Sequence, residues 1–187
     1  MRKRLVGLVL AIALAAPFAA VAKETYYQPG NVVPSIGVGA GFGWGLTLSA
    51  YPGVEVMLLK FKIANTVPID IGVAAKGLFG FSTYFGYSFV HLGVGGFGVI
   101  HWGPRGMDWD VKWLDNFDFW WGIGIAVTGH IPAAYWTYGL VNFATTAGVN
   151  YFLNDRFALT FAGSYWGYGG GYVGILYKLG KGEALVK

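Results

Sequence analysis

From Ile36 to Ala50 every second residue is apolar: Ile36, Val38, Ala40, Phe42, Trp44, Leu46, Leu48 and Ala50. The positions between them, from Ser35 to Ser49, hold only serine, glycine and threonine. Strict alternation is the signature of a β-strand, whose side chains leave on opposite faces with period two. The run Ser35 to Tyr51 outlasts an ordinary strand of about 5–6 residues. It covers the roughly 9–11 residues with which a tilted strand crosses a bilayer. One face is hydrocarbon and the other is small and polar. The hydrocarbon face is therefore expected to meet lipid, and the other to line a narrow barrel.

The pattern recurs along the chain. A turn at Tyr51-Pro52-Gly53 leads to a second strand, Val54 to Ala64, whose phase is ambiguous. A bulge near Leu58 would bring Glu55, Lys60 and Lys62 to one face. After a turn at Asn65 to Pro68, strands follow over Ile69 to Phe81 and, beyond a connection at Ser82 to Phe85, over Gly86 to Trp102. Gly95-Gly96 in the latter reads as a bulge or bend. Residues 103–117 form the longest break and read as a loop, with Trp109 and Trp113 spaced for a short surface helix as the alternative. Asp118 to Thr128, Trp136 to Tyr151, Arg156 to Tyr165 and Tyr172 to Leu179 complete eight strands. The fold expected is all-β: an eight-stranded antiparallel transmembrane β-barrel, an up-and-down meander with the even strand count of single-chain bacterial barrels. Pro52, Pro68, Pro104 and Pro132 fall in the predicted breaks, and Tyr51, Tyr87, Trp102, Trp120, Trp121, Trp136, Tyr151, Tyr165 and Trp166 near strand ends, as in aromatic girdles.

On this phase Ile36, Val38, Phe42, Ile71, Val73, Ile123, Ile125, Phe143, Leu159, Phe161 and Ile175 face lipid. Glu55, Lys60, Lys62, Asp70, Lys76, His91, Arg156 and Lys178 form a polar network in the lumen, where opposite charges should pair because an isolated buried ion costs several kcal/mol.

Two long stretches, Gly77 to Pro104 and Phe119 to Asn154, carry no formal charge and could by length be membrane helices. Recurrent glycine, alternation and Pro132 oppose that. A water-soluble barrel would carry about 25–35% charged residues on its surface, whereas 12% of this whole chain is charged. The 31 glycines and 18% aromatic content suit close-packed strands with heavy outward side chains.

The chain opens M-R-K-R, then an apolar run to Ala16 and small residues at Ala20-Val21-Ala22. That is the form of a cleaved secretory signal peptide over residues 1–22. Residues 23–34 then form an irregular lead-in, 35–179 the barrel and 180–187 a charged tail. Arg2, Lys3 and Arg4 supply three of the formal +4 charges, so the basic balance implies no nucleic-acid partner. There is no cysteine, which excludes disulfides and thiolate metal sites. The three histidines, His91, His101 and His130, have no ligand spacing in sequence, so no metal site and no cofactor are expected.

The signal segment, the amphipathic strands and the hairpin Tyr151-Phe152-Leu153-Asn154-Asp155-Arg156-Phe157-Ala158-Leu159 together resemble small outer-membrane β-barrel proteins of Gram-negative bacteria, of the OmpA-type transmembrane domain and opacity-protein-like kinds. The resemblance implies location in the cell outer membrane, contact with membrane lipid, and insertion by the outer-membrane assembly machinery, which reads a terminal aromatic strand; here Tyr177 and Leu179 stand on such a strand with eight residues after it. It also implies that residues 103–117 lie on the periplasmic side, where such proteins keep turns short. The expected role is structural or interactive, with a largely plugged interior and an unidentified surface partner as one possibility. The alternatives are a narrow pore for small solutes or ions and, on Ser88 with His91, a lipid hydrolase or acyltransferase. No hydrolase or metalloprotease motif is present, so a non-enzyme is expected.

Overall fold

The computed structural model describes residues 25–43, 45–64, 67–107, 111–131, 141–166 and 169–180. The signal segment, Trp44, Trp109, Trp136 with the predicted start of its strand, and the tail beyond 180 lie outside the described residues. Eight antiparallel strands close into a barrel: β1 (Val32–Gly43), β2 (Gly45–Ile63), β3 (Val67–Tyr84), β4 (Tyr87–Trp102), β5 (Phe117–Ile131), β6 (Asn142–Phe152), β7 (Phe157–Tyr165) and β8 (Gly169–Tyr177). Each strand pairs with its successor, and β8 returns to β1. Closure leaves no strand edge unpaired, which a twisted open sheet cannot achieve.

The start of β1 and the end of β8 share one end of the barrel, here the termini end. The connection between β4 and β5 lies at that end too. It contains two single 3₁₀ turns, Pro104–Gly106 and Leu114–Asn116, rather than an amphipathic helix among its described residues.

The first boundary differs from expectation. Ser35 to Tyr51 is not one strand: the chain reverses between Gly43 and Gly45, and Tyr51-Pro52-Gly53 lies within β2. The partners across this reversal have equal parity, as in Phe42 with Leu46 and Ala40 with Leu48. Alternation therefore passes through the hairpin with its phase intact, and periodicity alone cannot reveal it. Pro52 pairs with Ile36 of β1, while the ladder to β3 runs from Ala50–Phe79 to Gly53–Lys76 and skips Tyr51 and Pro52. A residue without an N–H is tolerated at such a gap.

The register between β2 and β3 shifts between Met57 and Leu59, which makes Leu58 a bulge. Glu55 and Met57 before it, and Lys60 and Lys62 after it, consequently share the inner side. No shift occurs at Gly95-Gly96, where β4 stays in register with both neighbours. Instead a Cβ on Gly95 would lie 2.9 Å from the ring of Phe97, so this glycine makes room for an interior aromatic. β3 and β4 join through Phe85 (φ 48°) and Gly86 (φ 83°), the two left-handed residues of a type I′ hairpin.

Inside, apolar layers alternate with polar ones. Tyr26, Tyr27, Val33, Met57, Phe152, Ala158 and Leu176 pack together toward the termini end. Tyr51, Leu78, Phe97, Val99, Trp166 and Tyr172 fill the middle. Tyr51, Trp120 and Trp166 are thus interior residues, not members of an outer girdle. The girdle at the termini end is Trp102, Phe117, Phe119 and Tyr151, whose rings contact one another in sequence around β4, β5 and β6. Outside, the eleven residues expected to face lipid all point away from the lumen. Phe42, Val38 and Ile125 are 79, 63 and 65% exposed, while Ile71 and Leu159 are half-buried among their neighbours.

Candidate functional site

The interior polar layer is built from residues that strand parity turns inward. His101 on β4 lies at its centre. Its Nε2 is 2.6 Å from Glu55 Oε1 on β2, and its Nδ1 is 2.8 Å from Asp118 Oδ2 on β5. A neutral imidazole has one donor and one acceptor, while a carboxylate only accepts. Two carboxylates on one ring therefore require either a doubly protonated ring or a carboxyl that keeps its proton. Asn150 Nδ2 on β6 donates to the same Asp118 oxygen at 2.8 Å and to Tyr27 Oη at 3.2 Å. The chain Glu55–His101–Asp118–Asn150–Tyr27 thereby ties four strands to the N-terminal lead-in.

Lys76 on β3 completes the layer. Its Nζ lies 3.9 Å from the centroid of the Trp120 ring and donates to Tyr172 Oη at 3.3 Å. Tyr172 takes its place because β1 has Gly39 opposite it and Gly37 diagonal to it: a Cβ on Gly37 would fall 2.5 Å from the tyrosine ring. Glu55, Lys76, His101, Trp120, Asn150 and Tyr172 line a cavity of about 20 Å³, room for about one water molecule.

The lead-in is ordered against this layer, although only an irregular segment was expected. Gly30 and Asn31 exchange backbone hydrogen bonds with Met57. Tyr27 is 1% exposed and sets its ring edge against His101 at 4.7 Å. Burial first, then the Asp118 and Glu55 carboxylates, push its phenol well above the ordinary range, so it stays neutral. Tyr26 stacks on Phe152 at 3.6 Å and beneath the Arg105 guanidinium at 4.1 Å. Lys178 Nζ donates to the Tyr26 carbonyl oxygen.

Of the residues expected in the lumen, Glu55, Asp70, Lys76 and His91 lie inside the barrel. Lys60 is half-buried opposite Asp70 on β3, and Lys62 is exposed toward the termini-end rim. Lys178 is half-buried beyond β8. Arg156 is a correction: it stands exposed in the β6–β7 hairpin, outside the lumen, because that hairpin turns on Asn154, whose Oδ1 accepts from the backbone N–H groups of Arg156 and Phe157. The sequence reading missed His101 as a network member, although it shares the parity of His91. It also missed Tyr27, whose segment has no period to read.

A second polar cluster lies in the half of the barrel away from the termini. Ser82 Oγ is 2.6 Å from His91 Nε2, and His91 Nδ1 is 2.6 Å from His130 Nδ1. Ser88, considered as a partner of His91, is on the outward face of β4 and pairs with Thr83; the serine at His91 is Ser82.

No protein-family model and no curated protein sequence matches the chain. Among solved structures it is similar to a barrel from the de novo design of transmembrane β-barrels, at 15% identity over 82% of this chain and 98% of that one (TM-score 0.46). It is also similar to the outer membrane protein OprG from Pseudomonas aeruginosa, at 10% identity over 83% and 99% of the two chains (TM-score 0.42). The Yersinia pestis outer membrane protein Ail in a phospholipid bilayer nanodisc gives 11% identity over 80% and 99% (TM-score 0.39). These likenesses are distant.

Proposed function

We propose that the chain is an integral outer-membrane β-barrel with a closed interior and a structural or interaction role. The observation that carries this is the inversion of ordinary packing: hydrocarbon side chains cover the outer wall, while carboxylates, lysine and histidine lie within. In hydrocarbon every backbone polar group must find an internal partner, and a closed barrel meets that demand. Insertion by the outer-membrane assembly machinery belongs to this reading, with Tyr177 as the outward aromatic of the last strand. Residues 103–116 then face the periplasm.

Filling supports the closed interior. Eight strands enclose about enough space for side chains alone, and Tyr51, Phe97, Trp166 and Tyr172 occupy the middle. The polar layer favours a second reading, a narrow pore. Refolding the purified chain into lipid vesicles and planar bilayers separates the two. The expected result is a band whose gel mobility changes on boiling, with β-type circular dichroism and no discrete conductance steps. Unchanged mobility with a helical spectrum would overturn the barrel in lipid; steps in a folded preparation would replace the closed interior with the pore.

A further inference from the structure

His91 and His130 are direct cross-strand partners on β4 and β5. Both are at inward positions, in the half of the barrel away from the termini. Their rings meet edge to face with centroids 4.7 Å apart, and their Nδ1 atoms are 2.6 Å apart. That is closer than the roughly 2.9–3.0 Å of an ordinary N–H hydrogen bond to oxygen. At that separation one Nδ1–H donates to the other Nδ1, and a metal ion between the two rings requires the donor ring to carry its proton on Nε2 instead. The other nitrogen of His91 is held by Ser82 Oγ at 2.6 Å, and both residues are buried, at 3 and 1% exposure. With Nε2–H donating to that hydroxyl, the Nδ1 lone pair is directed at His130. One nitrogen fixed by an oxygen while the other faces inward is the arrangement that orients a metal-ligating histidine.

We propose that His91 and His130 form a site for an imidazole-preferring divalent transition-metal ion, Cu²⁺ most tightly and Zn²⁺ or Ni²⁺ less so. The ligand set decides the class. Glu55, Asp70 and Asp118 belong to the polar layer nearer the termini, so the histidine pair offers nitrogen where Ca²⁺ and Mg²⁺ require oxygen. Nitrogen sites bind Cu²⁺ ahead of its neighbours in the first row. A second observation points to the same stretch of wall. Thr47 lies opposite Ser82, and Ser49 opposite Gly80, which in turn faces His91. The hydroxyls of Thr47 and Ser49 are buried and have no hydrogen-bond partner among the described residues. They can anchor the water that completes a two-histidine coordination shell.

The geometry asks for a small adjustment. Zinc–nitrogen bonds of about 2.0–2.1 Å at a tetrahedral angle set the two nitrogens roughly 3.3 Å apart. The pair opens by that difference through rotation of His130, which is half-buried, while Ser82 holds His91.

The test uses the tag-free chain, folded in detergent, with Cu²⁺ alone as probe. The expected result is saturable binding of one ion per chain, with an electron paramagnetic resonance spectrum showing two nitrogen ligands. His130→Ala should weaken binding by more than about tenfold and remove one nitrogen, and Ser82→Ala should weaken it by about tenfold while keeping both. Zn²⁺ in excess should displace the copper. His91→Ala disturbs a more buried position, so His130→Ala decides, with gel mobility confirming that it folds. Absence of saturable binding, a spectrum with fewer than two nitrogens, or unchanged affinity in folded His130→Ala would overturn the site.

Discussion

Both ring nitrogens of His101 are committed to carboxylates, and the residue is 1% exposed. Its removal would leave Glu55 and Asp118 facing each other without the ring that bridges them. Breaking a buried ion pair at one partner typically costs about 3–5 kcal/mol. His101→Ala should therefore lower the stability of the folded barrel by that order, read as a shift in the urea midpoint of tryptophan fluorescence in detergent. A change below about 1 kcal/mol, the scale of an exposed pair, would mean that the triad is not a closed unit. The sequence made the inward positions of Asp70 and Lys76 legible because parity is a property of each residue along its own strand, whereas the strand that carries Glu55 had two phases to choose from. It did not make partners legible. His91 and His130 are 39 residues apart, and only the register between β4 and β5 sets them side by side.

At the scale of elements, the lead-in is held as part of the barrel. Asn31 Oδ1 accepts from the Gln28 N–H, and Met57 receives the backbone of Gly30 and Asn31, so the segment turns Tyr27 into the lumen. Truncating a buried aromatic ring to alanine costs about 3–5 kcal/mol. Tyr27→Ala should thus destabilise the barrel by that order and loosen the termini end, with faster proteolysis of residues 25–31 in the folded protein; wild-type cleavage rates would count against a seated segment. Elements were legible in proportion to their period. Strands three to eight announced themselves by alternation and, Arg156 aside, their described residues kept the predicted faces; the start predicted for the sixth at Trp136 lies outside the described residues, and the other boundaries moved by a few residues. The first hairpin was hidden because its pairing preserves parity. The bulge at Leu58 showed only as a conflict, since without it Glu55 and the two lysines could not share a face. An irregular segment such as 25–31 offers no period at all.

For the whole molecule, the outer wall is the testable surface. Ile125 lies midway along β5 and is 65% exposed. If hydrocarbon surrounds it, Ile125→Arg should cost about 2–4 kcal/mol in lipid vesicles, the value for a cation at the midplane of a barrel's lipid face. Urea unfolding of the two proteins in the same vesicles measures it, and a neutral result would argue that water, not lipid, touches this wall.

That wall is not of even height. β2 and β3 run for 19 and 18 residues, whereas β7 and β8 run for 9 each. At about 3.3 Å per residue and a tilt near 40°, nine residues rise roughly 23 Å, slightly short of the apolar band of about 25 Å on outer-membrane barrels. If the barrel spans a bilayer, acyl chains beside the low flank compress, or the cylinder leans toward it. Either response costs elastic energy that a neighbour of matching height would relieve, so lateral crowding in the bilayer should favour one side of this molecule over the rest of its circumference.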